Sequence, residues 1–234
     1  MAPPTHLLVL GASRGGTTLL ATALGAHPQI ACLDEDLNAA FNLIVGGKIR
    51  ALILCIPNHV ELTRRWNPAC TPGLWFGATR KSLFMNKQPK SPHSLKDLMA
   101  FGDTQCVLIL RDPRAVIGSI GRRERRNRRV AAYRWTRSVE VADALARAAP
   151  RPAIVIDFDR LVCDPATVLQ AVCTRLEVPY TQALLDAPSL NSRYPETGFD
   201  KGRTGAAGHT DLDVTDLVSR TTLASYQRLC ADSP

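Results

Sequence analysis

Short continuous apolar runs alternate with stretches of helical period along most of the chain. Leu7 to Leu10, Ile30 to Leu33, Ser82 to Met85, Cys106 to Leu110 (CVLIL) and Ala153 to Ile156 (AIVI) are the runs. A run without polar alternation is what a parallel strand covered on both faces requires, so these predict buried strands. Between them, Thr17 to Gly25, Leu37 to Ile56 and Ala131 to Ala149 carry helical spacing; in the second, apolar residues fall at 37, 41, 44 and 52 to 54. Asp164 followed by Pro165 predicts a capped helix start running to about Leu176. Residues 57–80 hold Pro57, Trp66, Pro68, Pro72, Gly73 and Trp75 and read as an irregular insertion. Residues 187–210, rich in Gly, Ser, Pro and Thr, read as a flexible loop. Strands alternating with helices predict an α/β fold of three layers, with a central mostly parallel sheet flanked by helices.

Length and composition narrow this picture. The 234 residues fit one domain, and a chain of that size buries roughly 70% of its surface on folding. Seven cysteines fall without CxxC or Cys/His spacing, which speaks against a disulfide framework and a zinc site and for a reducing compartment. The run at His6 to Leu10 is too short for a signal-peptide core and lacks a basic flank, and no run approaches the ~18 apolar residues of a membrane span. The expected location is the cytoplasm.

Charge is the uneven property. Between Arg111 and Arg137 stand ten arginines and two acids, which is the whole net excess of +8; the rest of the chain carries 19 residues of each sign. A local block of one sign is a field aimed at a partner, and phosphate groups, an acidic acceptor and nucleic acid all qualify.

The first strand runs straight into Gly11-Ala-Ser-Arg-Gly-Gly-Thr-Thr18 and then a helix. Strand, glycine-rich turn and helix N-terminus make an anion site, because backbone N–H groups and the helix dipole face the ligand together. The spacing follows the P-loop G-x-x-x-x-G-K-[ST] except that Thr17 replaces the lysine. Without that lysine, γ-phosphoryl chemistry loses its main protein cation, while Arg14 offers positive charge from another direction. A purely structural glycine turn and a degenerate NTPase loop are the competing readings.

Ser13-Arg-Gly-Gly-Thr-Thr-Leu-Leu20 resembles the 5′-phosphosulfate loop of sulfotransferases that use 3′-phosphoadenosine 5′-phosphosulfate (PAPS). The continuation to His27-Pro28 and the acids Asp34, Glu35 and Asp36 looks closest to the tyrosylprotein branch, whose loop commonly reads R-S-G-T-T, with serine where Gly15 stands. By this resemblance Arg14, Gly15, Gly16, Thr17 and Thr18 hold the 5′ side. Arg111-Asp-Pro-Arg-Ala-Val-Ile-Gly-Ser119 resembles the family's 3′-phosphate motif, with Arg111 and Ser119 as ligands. Arg111 also ends a buried strand, where open α/β sheets bind their ligands. Arg123 matches a basic residue near the nucleotide, and Lys201, Gly202 and Arg203 match a segment closing over the 3′-phosphate. A solvated arginine face and a plain mobile loop are the respective alternatives.

Sulfuryl transfer needs an in-line acceptor oxygen, a base for its proton and cations on the oxygens that gain charge. The resemblance implies Glu35 as base, and Asp34 and Asp36 beside it would raise its pKa by repulsion. An acidic helix start is the structural alternative. The cytosolic branch uses a histidine, for which His59 and His93 are candidates; His27 more simply closes a helix before Pro28. Asn86-Lys87-Gln88-Pro89 resembles N-K-D-P, implying that Lys87 and Arg14 stabilise the transferring group, with Gln88 departing from the acid. Asp157 to Pro165 resembles Y-E-D-L-x-x-D-P, a structural return to the nucleotide side. The resemblance implies no metal.

Two other functions compete. A basic nucleic-acid-binding protein would use the arginine block, whose dense run over 122–129 holds none of the interleaved aromatics that base stacking requires. A P-loop kinase of a small metabolite would need the missing lysine. The expected acceptor is a small-molecule, lipid or natural-product hydroxyl rather than protein tyrosine. Residues 37–80 supply Phe41, Ile44, Ile53, Leu54, Ile56, Trp66, Trp75 and Phe76 as possible lining or simple core.

Overall fold

The computed structural model describes residues 6–33, 83–88, 104–123, 127–147, 151–190, 198–199 and 212–234. Five strands build one sheet: β1 (His6–Gly11), β2 (Ile30–Leu33), β3 (Leu83–Gln88), β4 (Thr104–Leu110) and β5 (Ile154–Asp157). Every neighbouring pair is parallel, and the order is β2-β3-β1-β4-β5. The helices are α1 (Thr17–Gly25), α2 (Pro113–Arg123), α3 (Arg128–Ala146), α4 (Phe158–Cys163), α5 (Pro165–Arg175), the short α6 (Ala183–Asp186) and α7 (Arg220–Ala231).

The continuous apolar runs are explained by two cores, one on each face of the sheet. Leu7, Val9, Val107, Ile109, Ile154 and Ile156 point to one face and pack against α1, α4, α5 and α6. Leu8, Leu10, Cys106, Leu108, Leu110 and Val155 point to the other and pack against α2, α3 and α7. Because alternate residues bury on opposite sides, the central positions of β1, β4 and β5 are apolar on both faces. This is the three-layer α/β architecture expected from the pattern.

Local chemistry sets the helix starts. Asp112 accepts from the Arg114 and Ala115 N–H groups at 2.8 and 3.4 Å, with Pro113 in the first turn of α2. Asp164 accepts from the Thr167 N–H at 3.2 Å ahead of Pro165, as its sequence predicts. Asn127 caps α3, accepting from Arg129 N–H at 2.8 Å, so this helix starts three residues before the expected Ala131. β3 lies later than the Ser82 to Met85 run, and Asn86, Lys87 and Gln88 form its C-terminal half rather than following it. The predicted helix over 37–56 and insertion over 57–80 lie outside the described residues, as does most of the 187–210 loop; its start, Ala187–Leu190, is a 3-10 turn.

α7 is an element no run in the sequence announced. Tyr226 meets Trp135 of α3 edge to face, 5.4 Å between ring centroids. Asp143 of α3 pairs with both Arg147 and Arg228, and the Ser233 hydroxyl accepts from Asp157 N–H at 2.9 Å. The C-terminal segment thereby ties α3 to the end of β5, beside the candidate site.

Candidate active site

The chain leaves β1 for β2 and β3 on one side, then returns to β4 on the other, so the order reverses at the β1–β4 junction. In open α/β sheets this crevice at the carboxyl ends of the strands is where ligands bind. Gly11 is in register with Ile109, so the glycine-rich loop after β1 and Arg111 after β4 emerge side by side.

The loop turns tightly on itself. Gly15 N–H donates to the Ala12 carbonyl at 2.9 Å, and Arg14 takes a left-handed φ of 67°. Gly16 is the N-cap of α1 at φ 101° and, having no side chain, supplies no cap bond of its own. A Cβ at Gly16 would stand 2.4 Å from Cδ2 of Phe158, so the backbone lies directly on that ring. The N–H groups and the dipole at the start of this nine-residue helix form a concentrated positive end suited to an anion. Thr17, 3% exposed, points into the fold.

The second motif closes on the first. Arg14 Nε donates to Ser119 Oγ at 3.3 Å, and Arg111 Nη1 reaches the Arg14 carbonyl at 3.5 Å. Ser119 lies about two turns along the chain from Arg111, and Arg14 contacts both residues. The Arg111 backbone is held by Trp135, whose Nε1–H donates to the Arg111 carbonyl at 2.8 Å. Its guanidinium lies 4.2 Å from the centroid of the Phe158 ring, while its Nε is buried without an acceptor.

Burial pulls the Arg111 guanidinium below its ordinary value, and repulsion from Arg14 adds to this; Asp159 and Asp112 work in the opposite direction. Asp159 is raised above the usual carboxylate range, first by burial, with Arg111 opposing and Asp112 adding. A guanidinium stays protonated through either effect. The arrangement can therefore hold two anionic groups: one at the α1 N-terminus and one beside Arg111 and Ser119.

The residues singled out from sequence are distributed unevenly. Arg14, Gly15, Gly16, Thr17, Thr18, Arg111 and Ser119 come together in this crevice. Lys87 pairs in register with Val9 on the strand beside the loop. The Arg123 backbone closes α2, four residues beyond Ser119. Glu35, Asp34, Asp36, His59, His93, Lys201, Gly202 and Arg203 lie outside the described residues. His27 is fully buried: its Nδ1 accepts from Gln29 N–H at 3.1 Å, leaving Nε2–H to donate to the Pro179 carbonyl at 2.6 Å. It is a structural tie after α1. Trp135, Phe158 and Asp159 were missed; their signal was position, a strand end next to β4 for the latter two.

A family model described as "Sulfotransferase family" matches residues 5–182. Among curated proteins none matches the chain by sequence. Among solved structures, the sulfotransferase domain of the Synechococcus PCC 7002 olefin synthase superposes with a TM-score of 0.70 at 21% identity, covering 100% of this chain and 98% of that one. The sulfotransferase domain from the curacin biosynthetic pathway gives 0.66 at 17%, covering 99% of each chain. A sulfotransferase from Mycobacterium tuberculosis H37Rv gives 0.54 at 16%, covering 88% and 77%.

Proposed function

The chain belongs to the sulfotransferase family and is an enzyme of that class, and from this premise we propose that residues 1–234 form one domain transferring a sulfuryl group from PAPS to an acceptor hydroxyl. The observation that carries the reading is the contact between the two phosphate motifs, Arg14 Nε to Ser119 Oγ at 3.3 Å. Two anion subsites linked this closely suit a nucleotide with separate 5′ and 3′ phosphates. The helix start at Gly16, which has no side chain to occupy it, and the buried Nε of Arg111 without an acceptor fit such a ligand.

PAPS supplies an activated sulfuryl group on its 5′-phosphate, and 3′,5′-adenosine bisphosphate is the product. Arg14, Gly15, Gly16, Thr17 and Thr18 hold the 5′ side, and Arg111 and Ser119 hold the 3′-phosphate. Arg123 and the Lys201-Gly202-Arg203 segment add positive charge around it. Glu35, two residues past the end of β2, takes the proton of the acceptor hydroxyl as its oxygen bonds to sulfur. Lys87 and Arg14 stabilise the negative charge that collects on the departing phosphate oxygen. The acceptor is a small-molecule, lipid or natural-product hydroxyl; the two similar folds from an olefin synthase and from the curacin biosynthetic pathway favour this over protein tyrosine. No described helix is long and apolar enough to cross a membrane, and we place the enzyme in the cytoplasm.

Calorimetric titration with 3′,5′-adenosine bisphosphate against 5′-AMP tests the donor. Tight binding of the bisphosphate, lost without the 3′-phosphate or in Arg111→Ala, is expected. Equal binding of both nucleotides, or none, overturns the reading.

A further inference from the structure

Phe158 touches both phosphate-facing elements with one ring. The Arg111 guanidinium carbon lies 4.2 Å from its centroid. The Cδ2–Cε2 edge of the ring lies against Gly16, where a Cβ would stand 2.4 and 2.8 Å from those two atoms. The ring is 3% exposed and packed in the core that contains Ile109, Ile156 and Leu161, so it cannot swing aside. Arg111 by contrast has few polar restraints: its Nη1 contact to the Arg14 carbonyl is at the outer limit for a hydrogen bond, and its Nε has no acceptor. The buried aromatic face is therefore a rigid surface against which this cation lies, beside its long contact to the Arg14 carbonyl.

We propose that Phe158 is a positioning residue for donor recognition: its π face fixes the Arg111 guanidinium, its edge fixes the Gly16 turn, and one rigid side chain sets the spacing between the two phosphate subsites. This rests on the reading above, in which Arg111 holds the 3′-phosphate and the loop the 5′ side. A guanidinium held over a ring face is attracted by the negative quadrupole of the ring, and the attraction grows when water is excluded. Phe158 comes from the first residue after β5, so the third strand end of this edge sets the geometry of the other two. Selectivity for a nucleotide bearing both phosphates is then a property of the ring as well as of Arg111.

The test replaces Phe158 site-specifically with pentafluorophenylalanine, which keeps the ring shape and reverses its quadrupole, and titrates 3′,5′-adenosine bisphosphate and 5′-AMP. Affinity for the bisphosphate should fall on the order of tenfold, with 5′-AMP affinity and the thermal midpoint nearly unchanged. A monofluoro ring should give a smaller loss in the same direction, and it keeps the test readable if the pentafluoro protein is unstable. Unchanged bisphosphate affinity across the series, or an equal loss for both nucleotides, overturns the proposal. Unmodified protein that fails to prefer the bisphosphate overturns the donor reading and this inference together. A preference for the bisphosphate that fluorination leaves undiminished overturns this inference alone.

Discussion

Gly16→Ala is the sharpest perturbation of this site, because two independent costs meet at one atom. The backbone there has φ 101°, where an L-residue with a Cβ loses about 1–2 kcal/mol. The added methyl would also lie 2.4 Å from Cδ2 and 2.8 Å from Cε2 of Phe158, and 3.1 Å from Cδ1 of Ile109. Both neighbours are buried, so relief requires moving the core, at about 1–3 kcal/mol for one inserted methyl. The total is about 2–5 kcal/mol. With a urea slope of about 2–3 kcal/mol/M, the unfolding midpoint should drop by about 0.7–2.5 M. Combining Gly16→Ala with Phe158→Leu checks the cause: the smaller side chain makes room, so the double variant should be less destabilised than the two single effects added, by about 1 kcal/mol or more. A Gly16→Ala protein within about 0.2 M of the parent midpoint, or strictly additive variants, would refute the ring-on-backbone account.

Trp135→Phe removes the donor to the Arg111 carbonyl; about 1–3 kcal/mol of stability and several-fold bisphosphate affinity should go with it, read by urea unfolding and calorimetry, and an unaltered affinity would show that Arg111 does not depend on this tie. Asp159, raised by burial, keeps its proton to higher pH in the folded protein than in the unfolded chain. Its favourable contribution is therefore full below about pH 4 and lost as pH rises through the folded value. Asp159→Asn should flatten that part of the pH dependence of the urea midpoint between about pH 4 and 7, and parallel profiles would count against it. The Cys106 thiol is pushed up to about 12 and that of Cys173 to about 11, both by burial. Among the described cysteines, a maleimide at neutral pH should label exposed Cys163 first and these two only after unfolding, which peptide mass mapping reads directly. Lys87→Ala and Glu35→Gln should each reduce turnover far more than donor affinity; parallel loss of both would remove them from the chemistry.

Much of the framework was legible because it is written in local chemistry. A strand buried on both faces must be apolar at every position, so the runs at Leu7, Ile30, Cys106 and Ala153 marked strands directly, and Thr17 to Gly25 was the helix observed. Caps are equally local: Asp164 and Pro165 set the start of α5 within four residues of chain. The glycine-rich loop after β1 was visible for the same reason, since its turn and the helix start it feeds are contiguous. Other features stayed hidden. α3 begins earlier than its apolar face because Asn127, not a hydrophobic residue, starts it. Trp135 sits in an arginine-rich helix and looks like any core residue until its indole meets the Arg111 carbonyl.

Strand order, and with it the site, was decided by tertiary structure alone. β3 inserts between β1 and β2, which lets β4 take the other side of β1 and brings Arg111 beside Arg14, 97 residues away in sequence. Phe158 under Arg111 and against Gly16 follows from the next crossover, which sets β5 against β4. Periodicity, caps and turns record the interactions of a residue with its near neighbours, which the sequence lists in order. A contact between strand ends depends on which crossovers the packed sheet permits, and that is a property of the whole chain.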